Sequence, residues 1–97
     1  MSSKLITVDF EVFGRVQGVF FRKYTQQEAS RLGLKGWCMN THIDTVKGVL
    51  EGNPMKVDQM KSWLQNTGSP ASKIEKVIFT NENEIERHTY KDFKVKR

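Results

Sequence analysis

The sequence predicts an α+β sandwich, and three observations carry that expectation. Apolar and polar residues alternate near the start of the chain, two later segments place apolar residues at helical spacing, and the elements follow the order strand-helix-strand-strand-helix-strand.

Ile6, Val8, Phe10 and Val12 alternate with Thr7, Asp9 and Glu11, the period of a half-buried strand. Residues 14–18 read as a loop bracketed by Gly14 and Gly18. Phe21, Thr25, Ala29 and Leu32 then share one helix face, Gln26, Gln27, Glu28 and Arg31 lie off it, and Gly33 is a suitable stop. Residues 35–40 read as a second strand and residues 40–44 as a turn. Val46 and Leu50, with Gly48 on the same face, mark a third strand. Asn53-Pro54 is a helix start, with Asn as cap and Pro at the first helical position. Val57, Met60, Trp63 and Leu64 give that helix its apolar face. Gly68 ends it and Ser69-Pro70 prevents continuation. Residues 74–80 read as a fourth strand, residues 81–89 as a polar stretch, and Tyr90, Phe93 and Val95 as a last strand. This order is the ferredoxin-like, or split βαβ, arrangement: an antiparallel sheet with two helices on one face, the other face free, and an extra C-terminal strand. The 97 residues make one domain, 1–97, with residues 1–5 expected as a flexible N-terminus.

Composition narrows the function classes. Hydrophobic residues are 37% and charged residues 28%, a globular balance that argues against disorder. No apolar run approaches the roughly 18 residues that span a bilayer, and no signal-peptide pattern opens the chain. Cys38 is the only cysteine, so no internal disulfide forms and a reducing, cytoplasmic setting is expected, with Cys38 as a small buried residue. His42 and His88 stand alone, and no Cys/His cluster has metal-ligand spacing, so no metal is expected. The net charge of +5 favours anionic partners without choosing among them.

The segment Gly14-Arg15-Val16-Gln17-Gly18-Val19-Phe20-Phe21-Arg22 joins the first strand to the first helix. A helix start offers backbone N–H groups that have no partner within the helix, and its dipole favours negative charge. Glycines let successive N–H groups converge on phosphate oxygens. Arg22, placed beside the positive end of the helix, is best accommodated when an anion lies between the two, where its guanidinium makes paired charge-assisted bonds to a phosphoryl group. The spacing alone also fits an ordinary loop with a solvent-facing arginine, and Asn40 alone also fits a turn asparagine. Phe20 and Phe21 are expected to pack in the core, and Trp37 and Trp63 in the core or half-exposed.

The whole nine-residue string resembles the signature of the acylphosphatase family. A second string follows at matching distance: Gly36-Trp37-Cys38-Met39-Asn40-Thr41, then Thr45-Val46-Lys47-Gly48 and Glu51-Gly52. Met60-Lys61-Ser62-Trp63-Leu64, Gly68-Ser69-Pro70 and Tyr90-Lys91-Asp92-Phe93 are also similar to the family, so the likeness covers nearly the whole chain. The sequence departs from the family pattern at Asp44, where many relatives carry glycine, and at Lys96-Arg97, where many vertebrate relatives end in an aromatic residue.

The resemblance implies hydrolysis of small acyl phosphates to a carboxylate and inorganic phosphate, with no metal and no cofactor. By motif position it makes Arg22 and Asn40 the catalytic pair. It assigns the phosphate-cradling backbone to Arg15, Val16, Gln17, Gly18, Val19, Phe20 and Phe21, with Gly14 and Gly18 shaping the loop. It also implies a water oriented by Asn40, with its proton passing to the substrate phosphate, and broad tolerance of the acyl group. A monomer is expected. The other readings of the same fold are a non-catalytic small-anion module and a single-stranded nucleic-acid module. The aromatic-rich strand motif of RNA-recognition domains is absent, so nucleic acid is not the expected partner.

Overall fold

The computed structural model describes residues 4–96. Strand β1 spans Leu5–Arg15, helix α1 Phe21–Arg31, strand β2 Lys35–Asn40, strand β3 Val46–Gly52, helix α2 Pro54–Asn66, strand β4 Lys73–Ile85 and strand β5 Phe93–Lys96. The five strands lie in the order β4-β1-β3-β2-β5. The first four pair antiparallel, and β5 joins β2 in parallel, so the finished sheet is mixed. The observed element order is the split βαβ order expected from the sequence, and the fold is ferredoxin-like α+β.

The alternation in β1 does what its period predicts. Ile6, Val8, Phe10 and Val12 are buried, while the residues between them are only partly covered. Both helices seal this face. From α1 come Phe21, Thr25 and Ala29; Thr25, a hydroxyl in the core, satisfies itself by donating to the carbonyl oxygen of Phe21 at 2.7 Å. From α2 come Val57, Met60 and Leu64, each fully buried and each contributing about 1.5–3 kcal/mol of transfer free energy. Asn53 caps α2 as expected, its side chain accepting the N–H of Met55 at 2.9 Å. Gly33 follows α1 at φ 74 and Gly68 follows α2 at φ 63, the left-handed turn that ends many helices. Cys38 lies fully buried, as a small core residue should.

Several boundaries differ from the sequence expectation. Leu5 already pairs with Ile85, so β1 begins inside the segment 1–5 expected to be flexible; residues 1–3 lie outside the described residues. At its other end β1 runs through Gly14 and Arg15, which pair with Ile74 and Lys73 after a register shift. The connecting loop is therefore residues 16–20, and Gly14 belongs to the sheet. Its reason is close approach, since a Cβ there would lie 2.1 Å from the carbonyl oxygen of Lys73. Strand β4 continues through residues 81–85, read from sequence as a polar stretch. It is an edge strand, so it needs no apolar alternation. A bulge sets Asn81 and Glu82 opposite Val8, with Asn81 left-handed at φ 55.

The outer face of the sheet, expected to be free, is partly covered. Glu51 on β3 is 2% exposed there, and its Oε1 accepts the N–H of Thr89 at 2.8 Å and of Tyr90 at 3.3 Å. The hydroxyl of Tyr90 accepts from Trp37 Nε1 at 3.2 Å. The chain thus crosses this face and delivers β5 alongside β2, where Gly36 N–H donates to the Asp92 carbonyl oxygen at 2.9 Å.

Candidate active site

The connection from β1 to α1, the end of β2 and the edge strand β5 enclose a cleft of about 550 Å³. Val16, Gly18, Phe20, Phe21 and Arg22 line it from the loop and the start of α1, Asn40 from β2 and Val95 from β5. Arg22 and Asn40, paired by the sequence resemblance, therefore face one space. Gly14, Arg15, Gln17 and Val19 do not line it. Gly14 and Arg15 sit in the strand, and Val19 turns into the core.

The loop geometry favours an anion. Gly18 takes φ 74 with open space where a Cβ would stand, so the left-handed backbone rather than crowding calls for glycine there. Phe20 precedes α1 at φ 57 and ψ 23, with no side chain capping the helix and no acidic residue in its first turn. Among the described residues, the N–H groups of residues 17–20 donate to no backbone carbonyl, and those opening α1 are unpaired by helix geometry. The helix dipole adds partial positive charge at the same point. Arg22 and Lys23 line the cleft and no carboxylate or histidine does, so its charge is wholly positive.

Arg22 is half-buried. Its Nη1 donates to the carbonyl oxygen of Lys96 on β5 at 3.4 Å. That long bond steers the guanidinium without occupying its five-donor fork. Cys38 lies behind it, the thiol reaching the Arg22 carbonyl oxygen at 3.9 Å. Burial pushes the Cys38 pKa up to about 12, with the Arg22 guanidinium pulling the other way. Asn40 closes β2, and its Oδ1 is buried without a hydrogen-bond partner. Buried amide oxygens are normally satisfied, so an unpaired one on a residue that lines the cleft is a candidate acceptor for a polar guest.

The turn after Asn40 is tied to the loop. Gln17 Nε2 donates to the carbonyl oxygens of Thr41 at 3.0 Å and Thr45 at 2.9 Å. Thr45 Oγ1 donates to Glu11 Oε2 at 2.6 Å, because a carboxylate only accepts. The hydroxyl of Thr41 then donates to Thr45 Oγ1, also at 2.6 Å. It accepts in turn from the Thr45 N–H at 3.2 Å. Sequence reasoning gave Gln17 a backbone role only and gave Thr41 and Thr45 none. Their polarity inside the two quoted strings was the available signal. Lys23, Gln26 and Val95 carried none.

Phe20 corrects another expectation. Phe21 is 1% exposed and packs its ring 5.9 Å from that of Trp63, but Phe20 is 73% exposed at the cleft. A residue before the first helical turn does not share the buried helix face. Among the described residues no group of three or more His, Cys, Asp or Glu is placed to hold a metal, and no helix is long and apolar enough to cross a membrane.

A split βαβ sheet whose first β-to-α loop ends in an uncapped helix start, with an arginine and a neighbouring-strand amide beside it, defines an α+β domain with a cleft that favours anions. Comparison with known proteins names the group. The acylphosphatase family model matches residues 8–95. The chain is 54% identical over 88 residues to Acylphosphatase-1 of Drosophila melanogaster, covering 91% of this chain and 73% of that protein. It is 53% identical over 91 residues to Acylphosphatase-1 of Homo sapiens, covering 94% and 92%. The solved acylphosphatase of Bacillus subtilis superposes with a TM-score of 0.87 at 30% identity, covering 95% of this chain and 99% of that one. The chain belongs to the acylphosphatase family, and it is a hydrolase that cleaves acyl phosphates to a carboxylate and inorganic phosphate.

Proposed function

We propose that this acylphosphatase works without a metal ion or cofactor, by attack of a water that Asn40 orients on a phosphoryl group held by Arg22 and the loop. The observation that carries the reading is the unpaired, buried Oδ1 of Asn40, a residue that lines the same cleft as Arg22. The phosphoryl oxygens take the N–H groups of Gly18, Phe20 and Phe21, which line the cleft, and the Arg22 fork, which neutralise charge on the equatorial oxygens. Asn40 Oδ1 accepts one O–H of the water and fixes it for in-line attack.

The water oxygen forms the new P–O bond as the bridging P–O bond breaks. The carboxylate leaves with the electron pair. A carboxylate is a good leaving group, so acid assistance is dispensable. The proton shed by the water goes to a phosphoryl oxygen. This is supported by the lining of the cleft, which holds no carboxylate or histidine to take the proton.

A cytoplasmic setting fits a single cysteine that is buried and has no partner within the chain, and a monomer is the simplest working unit. The test is hydrolysis of benzoyl phosphate with and without a strong chelator. Equal turnover in both is expected. Loss of turnover on chelation, restored by a divalent cation, would overturn the metal-free mechanism.

A further inference from the structure

The cleft is far larger than a phosphoryl group and one water, whose share of liquid volume is about 30 Å³. The remaining space must take the acyl group, and one residue there is placed at evident cost. Phe20 is the cap residue of α1, a position where Ser, Thr, Asp, Asn or Gly is favoured, and its side chain makes no capping bond. It is left-handed at φ 57, which glycine and asparagine tolerate and bulky residues resist. It also exposes 73% of its surface. Strain of this kind persists where the surrounding structure enforces it, and it concentrates at ligand sites.

We infer that Phe20 is the platform for the acyl group and biases the enzyme towards aromatic acyl phosphates. The inference rests on reading the cleft as the acyl phosphate site. Of the other apolar residues lining the cleft, Val16 and Phe21 are buried in the core, which leaves Phe20 and Val95 accessible to a ligand. Gln26 fixes the far wall, its Nε2 donating to the Phe93 carbonyl oxygen at 3.0 Å and so joining α1 to β5. A flat ring attached to the acyl carbonyl stacks on Phe20 while its phosphate stays in the loop. An acetyl group is too short to use that surface. Tyr24 lies one turn further along α1, exposed but outside the lining, and serves as a neighbouring aromatic control.

The experiment measures kcat/KM for benzoyl phosphate and acetyl phosphate and takes their ratio. The wild type should favour benzoyl phosphate. Phe20→Asn keeps a residue suited to the left-handed backbone and removes the ring, and should lower the ratio about tenfold, mainly through the KM for benzoyl phosphate. Phe20→Tyr and Tyr24→Ala should leave the ratio as in the wild type. A ratio unchanged in Phe20→Asn, an equal fall in Phe20→Tyr, or a wild type without preference each overturns the inference. Calorimetric binding of benzoylphosphonate against acetylphosphonate, whose P–C bond is not hydrolysed, reads the same platform without turnover. If the wild type cleaved neither acyl phosphate, the proposed mechanism would fail, while the phosphonate ratio in wild type and Phe20→Asn would still decide the role of Phe20.

Discussion

The side-chain amide of Gln17 donates to the carbonyl oxygen of Thr45 at 2.9 Å, across a sequence separation of 28 residues. A second bond, to the Thr41 carbonyl oxygen, uses the other proton of the same nitrogen. The loop between β1 and α1 and the turn that follows Asn40 are thereby one unit. Gln17→Ala leaves two carbonyl oxygens unpaired and should cost about 1–3 kcal/mol in denaturant unfolding. It should also raise KM and lower kcat together, because both halves of the site loosen. Gln17→Glu should be worse than Gln17→Ala, since it sets a carboxylate against two carbonyl oxygens.

Arg22 and Asn40 should separate kinetically. In the proposed mechanism Arg22→Ala removes the charge that binds substrate and transition state alike, so competitive inhibition by inorganic phosphate should weaken sharply and kcat/KM fall about 10³-fold. Arg22→Lys should recover part of the binding but not the paired geometry. Asn40→Ala removes an acceptor for water, so kcat should fall at least about 10²-fold while phosphate inhibition holds within about twofold. Loss of phosphate inhibition in Asn40→Ala would make Asn40 a phosphate ligand instead.

What the sequence made legible follows from what each element buries. β1 and α2 were readable because one face of each packs into the core, and Asn53-Pro54 announces its helix locally. Residues 81–85 were not, because an edge strand open to solvent carries no apolar period. Gly14 reads as loop punctuation in sequence, and only the approach of β4 shows it to be a strand residue. At the site, Arg22 was readable from its place at a helix start. Asn40 was readable through family resemblance alone, because its burial and unpaired oxygen arise from tertiary packing. The clamp made by Gln17 was hidden for the same reason, and the outward turn of Phe20 depends on a backbone angle that no periodicity encodes.

Asp44 stands where many family members carry glycine, and it adopts φ 69 in the turn between β2 and β3. Aspartate visits this region more readily than most residues, so the turn forms, with Thr41 N–H donating to the Thr45 carbonyl oxygen at 2.8 Å. Some strain remains. Asp44→Gly should therefore stabilise the protein by up to about 1 kcal/mol, a rise of a few degrees in Tm. Asp44→Ala should destabilise it, because alanine has no such tolerance. Equal stabilisation by both would assign the effect to the lost charge and not to the backbone.

Cys38 offers a pH signature of the packed site. Its thiol is fully buried behind Arg22, and burial raises its pKa to about 12. An unfolded cysteine titrates near pH ~8.5. The native state thus holds its proton where the unfolded state has released one, and the linked stability is complete below pH ~8.5. It declines as pH rises from there and is gone once pH passes about 12. The wild type is compared with Cys38→Ala, which lacks this contribution, so that only the thiol's share of the pH dependence is read. The stability of the wild type relative to the variant should be flat from pH 6 to about 8 and should fall progressively above pH ~9. A second measurement fixes the cause. Iodoacetamide at about pH 8.5 should modify the native thiol far more slowly than a free cysteine, and denaturant should accelerate the reaction in step with unfolding. Labelling at the free-thiol rate without denaturant would mean that the thiol reaches solvent in the native state. Burial would then fail as the cause of the shift, and the tight seat of Arg22 against β2 would fail with it.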